Sequence, residues 1–238
     1  MSRFDELKDN LVRVQARIAA AEEAAGRAPG SVSLVPVSKF HPVDDIIALG
    51  QLGVDLVGEN REQEARGKAE ALADAGADVA IAMIGQIQTK KANAVARWAA
   101  EVHSLDSARL AERLDHGVEL ALERGERERE ILPCLVQVSA DGDTSRGGAP
   151  FGELDALAEQ VEEATHLELR GLMVVPPLDA VPAEVFREVR TRADALGQRL
   201  GRPMLLSAGM SGDFEEAIAC GSDIVRVGTG VFGPRPVG

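Results

Sequence analysis

The sequence predicts an α/β fold, a single (β/α)8 TIM barrel with an extra N-terminal helix, in one domain over residues 1–238. Three observations predict it. Short apolar segments alternate with segments of helical periodicity, which is typical of βαβ units and a parallel sheet. There are eight such apolar segments, and 238 residues suffice for one barrel. No linker or low-complexity tract divides the chain. A doubly wound open sheet is the alternative.

Residues 1–26 are predicted to form a helix packed on the barrel. Apolar residues recur at steps of three and four from Phe4 to Ala25, the period of one helix face. Gly26 and the following Pro29 end the pattern. This apolar seam either covers one end of the core or forms a coiled-coil contact with a second copy. Both a monomer and a dimer are therefore compatible with the sequence.

The barrel elements follow in regular alternation. The predicted strands lie at 32–38, 54–58, 79–85, 101–105, 132–139, 167–175, 203–207 and 223–228. The predicted helices lie at 43–50, 60–74, 89–99, 106–124, 151–165, 183–200 and 212–220. In such barrels the chemistry lies at the carboxyl ends of the strands. Polar residues and glycines follow several of these strands, so we expect a functional site there.

Composition limits the function classes. The net charge of −13 argues against binding to nucleic acid or to an anionic membrane, because both need basic patches. The N-terminal segment lacks the apolar region of a signal peptide, and no apolar run approaches the ~18 residues of a membrane span. We therefore expect a cytoplasmic protein. Cys134 and Cys220, each in an apolar context, indicate buried thiols, with no disulfide and no metal site.

Lys39 ends the apolar segment 34-LVPVSK-39, an unusual place for a residue that is seldom buried. An amine in an apolar setting is desolvated and loses its proton more easily, and the neutral amine can form a Schiff base with an aldehyde. The alternative is a lysine at the barrel rim that pairs with a carboxylate such as Glu59. This segment alone does not decide between them.

The C-terminal segments 207-SAGMSGDFEEAI-218 and 223-DIVRVGTGVFG-233 indicate a phosphate site. Glycine turns expose backbone N–H groups, and a helix N-terminus, here with Ser211 as the expected N-cap, favours an anion. In barrels, phosphate commonly binds at the loops after strands seven and eight. Two ordinary turns and a capped helix are the alternative. A Schiff-base lysine together with a phosphate site suggests an aldehyde that carries a phosphate, and pyridoxal 5′-phosphate (PLP) fits.

Five segments of the sequence resemble a known family. They are Ser38-Lys39 followed by a proline, 58-GENREQE-64, 84-IGQIQTKKA-92, 171-GLMVVPP-177 and 207-SAGMSGDFEEAIACGSDIVRVGTGVFG-233. They are similar to the motifs of the pyridoxal-phosphate homeostasis protein family, whose barrel is shared with the N-terminal domain of alanine racemase. The resemblance covers residues 32–233.

The resemblance implies a set of cofactor-binding residues. Lys39 matches the lysine that forms the Schiff base with PLP. Asn60 matches an asparagine near the cofactor. Arg226 matches the arginine beside the cofactor ring, which faces the pyridine nitrogen in the racemase-like barrels.

The remaining implied residues concern the phosphate. Ser207 and Ser211 match phosphate-contacting positions. Gly228 and Thr229 match positions that contact phosphate through backbone and hydroxyl groups.

The sequence departs from the family pattern at three places. A Trp-His-Phe run usually precedes Ile-Gly, whereas this chain has 81-IAMIG-85. Lys90 replaces a usual asparagine, and Arg146 replaces a usual lysine in the loop after the fifth strand. The first departure puts in doubt any role for the edge of the third strand.

The resemblance implies a PLP-binding protein of intracellular PLP homeostasis, which buffers or delivers PLP without robust turnover of its own. PLP-dependent apo-enzymes are the implied recipients, and a monomer is the implied state. The alternative is a PLP-dependent amino-acid racemase or decarboxylase, and a Schiff-base aldolase acting on sugar phosphates is a third option. Racemisation by the alanine racemase route needs a lysine and a tyrosine from a second domain. The chain has no tyrosine, and we expect no second domain. No catalytic or metal-binding residue is therefore assigned.

Overall fold

The computed structural model describes residues 2–235, whose main feature is a parallel β-barrel surrounded by helices. The eight barrel strands are β1 Ser33–Pro36, β2 Leu56–Glu59, β3 Ala80–Met83, β4 Glu101–Leu105, β5 Leu132–Ser139, β7 Leu167–Val174, β8 Leu205–Ser207 and β9 Ile224–Val227. All eight predicted strands are confirmed in their predicted places. A two-residue strand, β6 Ala149–Pro150, pairs with β5 outside this path.

The strands follow the order β1-β9-β8-β7-β5-β4-β3-β2, and every pair is parallel. The two ends of this path meet where Val37 forms an isolated parallel bridge with Gly58, and Ser38 N donates to Gly58 O at 3.0 Å. The sheet is thus a nearly closed barrel, which confirms the (β/α)8 prediction. The open-sheet alternative is wrong because the two edge strands approach each other.

Helices connect successive strands as predicted. They are α2 Val43–Gln51, α3 Glu62–Asp74, α4 Ala92–Trp98, α5 Ala108–Glu123, α6 Leu154–Glu163, α7 Pro182–Leu200 and α8 Phe214–Ala219. A short helix that was not predicted, α9 Thr229–Phe232, follows the last strand. The predicted N-cap at Ser211 is wrong. The cap residue of α8 is Asp213, whose carboxylate accepts from Met210 N at 2.6 Å and so stabilises the turn before the helix.

The N-terminal helix α1 spans Arg3–Ala24 and begins with a capping box between Ser2 and Asp5. Its apolar face packs on the barrel elements α8, α9 and β9. The buried residues of this contact include Leu7, Leu11, Val14, Ile18, Phe214, Val225, Val227, Val231 and Phe232. The apolar seam of the N-terminal sequence therefore covers part of the core within the chain.

The predicted character of the two cysteines is confirmed. Both are free thiols, 0% and 9% exposed, and burial raises the pKa of Cys134 and of Cys220. Among residues 2–235, none of the helices combines the length and the apolar content that crossing a bilayer would require.

Candidate functional site

A cavity of about 370 Å³ lies at the carboxyl ends of β1, β8 and β9. Its volume falls within the range of small-molecule sites. The lining includes six of the seven residues predicted from the sequence, namely Lys39, Asn60, Ser211, Arg226, Gly228 and Thr229. It also includes Val37, Phe40, His41, Ile84, Val175, Met210, Gly212, Gly233 and Arg235. The seventh predicted residue, Ser207, is absent from the lining.

Lys39 lies in the turn that follows β1, and its side chain is exposed at the cavity. The expectation of a desolvated amine is wrong, because the last buried residue of this segment is Ser38. The alternative of a pair with Glu59 is also wrong, since Glu59 pairs with Lys68 at 2.5 Å. Among residues 2–235, Lys39 has no carboxylate within ion-pair distance, so its amine is free of a competing partner.

A buried ionic cluster fixes the backbone on both sides of Lys39. Lys68 Nζ donates to Ser38 O at 2.8 Å and contacts Glu59 and Glu64 at 2.5 and 2.9 Å. Glu64 in turn accepts from Phe40 N at 2.7 Å. This bond holds Phe40 at φ +69°, a region that residues other than glycine seldom adopt. The cluster thereby sets the direction in which Lys39 leaves the barrel.

Asn60 reaches the cavity because β2 and β3 end very close together. A Cβ on Gly85 would lie 2.1 Å from Asn60 O, so only glycine permits this approach. Asn60 Oδ1 is buried and accepts no hydrogen bond among residues 2–235. Because buried polar atoms are nearly always hydrogen-bonded, this oxygen is a candidate acceptor for a ligand donor.

The two glycine turns on the other side of the cavity offer unpaired donors. The backbone N–H groups of Ser211, Gly212 and Thr229 find no acceptor within the described chain. The side chains of Ser211 and Thr229 add two hydroxyl groups, and Gly228 lies between Thr229 and β9. Unpaired N–H groups and hydroxyls in adjacent turns are the donor set that binds phosphate oxygens.

Ser207 is fully buried below the cavity, at the end of β8. Its Oγ accepts from Arg226 Nη1 at 2.7 Å and lies 3.3 Å from His103 Nδ1. A ligand in the cavity would meet Arg226 before it met this hydroxyl. Ser207 therefore contacts Arg226 and, unlike the other six predicted residues, does not line the cavity.

Arg226 is 4% exposed and lines the cavity without a carboxylate partner. A second donor, Nη2, bonds to Val174 O at 2.9 Å. Burial lowers the pKa of Arg226 to about 10, and the more distant Asp213 opposes this effect. The guanidinium thus remains a cation at neutral pH and keeps donors for a ligand.

His41 is a cavity residue to which sequence reasoning assigned no role. Its ring stacks on Phe232, with centroids 4.8 Å apart, and burial lowers its pKa. The buried Nδ1 accepts or donates no hydrogen bond in the described chain; the nearest carboxylate oxygen, of Asp45, is 3.7 Å away. The only sequence signal was its position two residues after Lys39.

The cavity is locally positive in a chain of net charge −13. Lys39, Arg226 and Arg235 line it, whereas the lining includes no aspartate or glutamate. The guanidinium groups of Arg61 and Arg235 lie 5.3 and 3.9 Å from the Phe40 ring centroid. This arrangement favours a small anionic ligand despite the global charge.

A second cavity of about 190 Å³ adjoins the first and shares Asn60, Ile84 and Val175 with it. Its other residues come mainly from the loop after β5, including Arg146, which pairs with Asp141 at 2.6 Å. Arg146, which replaces the usual lysine of the family that the sequence resembles, thus lies beside the main cavity.

The barrel and its cavity define a class of protein. The family model described as alanine racemase, N-terminal domain, matches residues 7–236 of the chain. Alanine racemase from Corynebacterium glutamicum shares this fold at a TM-score of 0.64 and 18% identity, over 94% of this chain and 61% of that one. The chain is therefore an alanine-racemase-type barrel in fold.

Nearer relatives identify the branch of that class. A protein of Corynebacterium glutamicum named pyridoxal phosphate homeostasis protein is 52% identical over 94% of this chain and 100% of its own length. PipY of Synechococcus elongatus, solved with PLP bound, is 35% identical at a TM-score of 0.76, over 92% of this chain and 100% of that one. The chain belongs to the pyridoxal phosphate homeostasis protein family.

Proposed function

We propose that this chain binds PLP in the cavity at Lys39 and buffers or delivers it in intracellular PLP homeostasis. One observation carries the proposal. An unpaired lysine amine and unpaired N–H donors share a single cavity that is lined by cations and by no carboxylate. Homologues named for PLP homeostasis, and a homologue with PLP bound, support the same function.

The residues of the cavity fit each part of PLP. The amine of Lys39 suits the aldehyde, and the unpaired donors at Ser211, Gly212 and Thr229 suit the phosphate. Arg226 offers a donor to a ring nitrogen, as the family resemblance implies. The aromatic ring would meet apolar side chains, for which Val37, Ile84, Val175 and Met210 are present.

When bound, PLP supplies an aldehyde carbon that an amine can attack. Lys39 provides that amine, and the Lys68 cluster holds the backbone from which it projects. Burial keeps the pKa of His41 below its ordinary value, so this cavity imidazole is neutral at pH 7 and adds no charge to the three cations of the lining. The exposed amine remains accessible to solvent and to an incoming acceptor.

We further propose that binding and hand-over, without turnover, is the physiological role. Two-base racemisation needs a second acid–base group on the opposite face of the substrate, and the sequence has no tyrosine to supply it. The exposure of Lys39 suits exchange better than chemistry that must exclude water. PLP-dependent apo-enzymes are the proposed recipients.

A single-domain monomer is the proposed working state. The apolar seam of α1 is buried within the chain by Leu7, Leu11 and Val14, so this seam offers little surface for a second copy. Sedimentation equilibrium checks the proposal directly: a single species at the monomer mass is expected, and a stable dimer would contradict it.

The experiment that tests the function measures retention and turnover together. The purified protein is loaded with PLP, passed through a desalting column, and then incubated with L- and D-alanine, L-lysine and L-ornithine. We expect a stoichiometric amount of PLP to be retained, with racemisation and decarboxylation no faster than in a matched solution of free PLP. Loss of all PLP on the column would contradict binding. Saturable turnover well above the free-PLP rate would contradict the non-enzymatic role.

A further inference from the structure

A chain of buried polar groups leads away from Arg226 through the interior of the barrel. Arg226 Nη1 donates to Ser207 Oγ at 2.7 Å, and Ser207 Oγ lies 3.3 Å from His103 Nδ1. His103 Nε2 lies 3.0 Å from Glu101 Oε2. Three of these four side chains are almost fully buried, whereas Glu101 is 30% exposed.

The contact between Ser207 and His103 crosses the barrel. These residues lie on β8 and β4, which are separated in the sheet by β7 and β5. Glu101 is the first residue of β4 and therefore lies toward the amino ends of the strands, away from the cavity. The chain of hydrogen bonds thus runs from the floor of the ligand cavity to the opposite end of the barrel.

The chemistry of the two ends fixes the direction of the two outer hydrogen bonds. Arg226 can only donate, so Ser207 Oγ accepts from it; with a second lone pair and one proton left, this hydroxyl can either donate to His103 Nδ1 or accept from it. The bond from His103 lowers the pKa of Glu101, so this side chain is a carboxylate that can only accept. His103 therefore carries a proton on Nε2, which donates to Glu101. Burial lowers the pKa of His103 against the opposing effect of Glu101, which favours the neutral imidazole; Nδ1 then accepts from the Ser207 hydroxyl.

The charged groups around His103 are few. Glu101 and Arg226 face it, and Arg129 and Arg170 lie nearer to Glu101. No other residue within the described range donates to or accepts from the imidazole. Within the described residues, Ser207 and Glu101 are therefore the hydrogen-bond partners that orient the ring.

We propose that His103 is a positioning residue for ligand binding: anchored by Glu101, it holds Ser207, and Ser207 holds the Arg226 guanidinium toward the cavity. The inference rests on the proposed function, since the ligand that Arg226 would meet is PLP. Its consequence is that a residue with no access to the cavity controls both the affinity for PLP and the electronic environment of the bound ring.

The test compares four proteins by PLP titration, the position of the visible absorption band and thermal unfolding. They are the wild type, His103→Leu, His103→Gln and the matched control Ser104→Ala. Ser104 is also fully buried on β4, but its Oγ has no partner among residues 2–235, so its removal leaves the chain of hydrogen bonds intact.

We expect Ser104→Ala to match the wild type. His103→Leu should raise the Kd for PLP about tenfold, the scale of one hydrogen bond to a charged group, and should shift the absorption band. His103→Gln should recover much of both properties, because an amide offers one acceptor and one donor. If His103→Leu binds PLP with wild-type Kd and an unshifted band, the positioning role is refuted. A wild-type protein that binds no PLP would instead refute the proposed function, and this inference with it.

A measurement on the wild-type protein keeps the inference testable if the variants do not fold. Long-range ¹⁵N–¹H correlation spectra distinguish the tautomers of the four histidines. His103 should show the Nε2–H tautomer and be neutral at pH 7, whereas an imidazolium would carry a proton on both ring nitrogens. A protonated His103, or the Nδ1–H tautomer, would overturn the assigned direction of the hydrogen bonds and with it the proposal.

Discussion

The amine of Lys39 is not paired with Glu59 because another lysine, Lys68, is paired with that carboxylate. Glu59, the carboxylate considered as a partner for Lys39, is 0% exposed and is engaged by Lys68 and by the Ser38 hydroxyl, at 2.5 and 2.6 Å. The sequence shows both lysines and the glutamate but does not show which pair forms. Helical spacing places Glu64 and Lys68 on one face of α3, and this face turns toward the end of β1. The pairing follows from that packing.

The two turns proposed to bind phosphate give a prediction at the scale of single residues. Replacing Thr229 by Ala removes a hydroxyl at the cavity and should weaken PLP binding by about 1–2 kcal/mol, the scale of a hydrogen bond to a charged group. Ser211→Ala should have a similar effect. Titration of PLP followed by absorbance measures both.

Thr144→Ala is the matched control for this series, because Thr144 is an exposed threonine outside the cavity lining. Its affinity should equal that of the wild type. If Thr229→Ala and Ser211→Ala also bind PLP as tightly as the wild type, the phosphate does not bind at these turns.

The residues of the site were predictable to different degrees. Lys39, Asn60, Arg226 and Thr229 follow strand ends or lie in recognisable motifs, so their meeting at one cavity could be expected. His103 could not, because its role depends on a contact across the barrel with β8, and no local pattern encodes the register of strands that are not neighbours. Ser207 lies in a recognised motif, but its direction, inward and below the cavity, depends on the same contact.

At the scale of elements, the main feature is the closure of the barrel between β1 and β2. The ends of β1 and β2 meet at the bridge between Val37 and Gly58, and the Lys68 cluster lies directly beside this junction. Burial raises the pKa of Glu59, while Lys68 and Ser38 oppose that rise through hydrogen bonds. The cluster therefore stabilises a carboxylate that would otherwise be costly to bury.

Removing the cation should destabilise the closed barrel. Lys68→Met leaves Glu59 buried without its partner, which costs about 3–5 kcal/mol when a buried pair loses one member. Urea unfolding measures the change in free energy. Lys8→Met, the same substitution at an exposed lysine of α1, is the control and should change stability by less than about 0.5 kcal/mol. Equal midpoints for the two variants would mean that the cluster does not support closure.

The elements that sequence reasoning missed are the shortest ones. β6 has two residues and α9 has four, so neither is long enough to show a period of 2 or 3.6. The eight barrel strands and the connecting helices were predicted because their alternation is regular and their apolar segments are bounded by turn residues. The N-cap of α8 was misplaced because Ser211 and Asp213 are both good cap residues, whereas the helix itself begins only at Phe214.

At the scale of the whole molecule, the charge around the cavity is opposite in sign to the net charge of the chain. The chain carries 39 acidic and 26 basic residues, yet the cavity lining includes three cations and no carboxylate. Exposed charges far from the cavity are largely screened at physiological ionic strength, whereas the nearly buried Arg226 is screened much less. A small anion therefore meets a positive site on an acidic protein, which is consistent with selectivity for a phosphate-bearing ligand over nucleic acid.

The most direct measurement of the central claim, that Lys39 anchors PLP, is borohydride reduction followed by peptide mass mapping. PLP is added to the wild type, to Lys39→Ala and to the control Lys8→Ala, and visible absorbance is recorded before and after reduction. We expect a yellow band that reduction removes, with the added mass on the peptide that contains Lys39. Lys8→Ala should behave as the wild type, and Lys39→Ala should show neither the band nor the label while unfolding at the wild-type temperature. An unchanged band in Lys39→Ala, or label on a different lysine, would contradict the assignment.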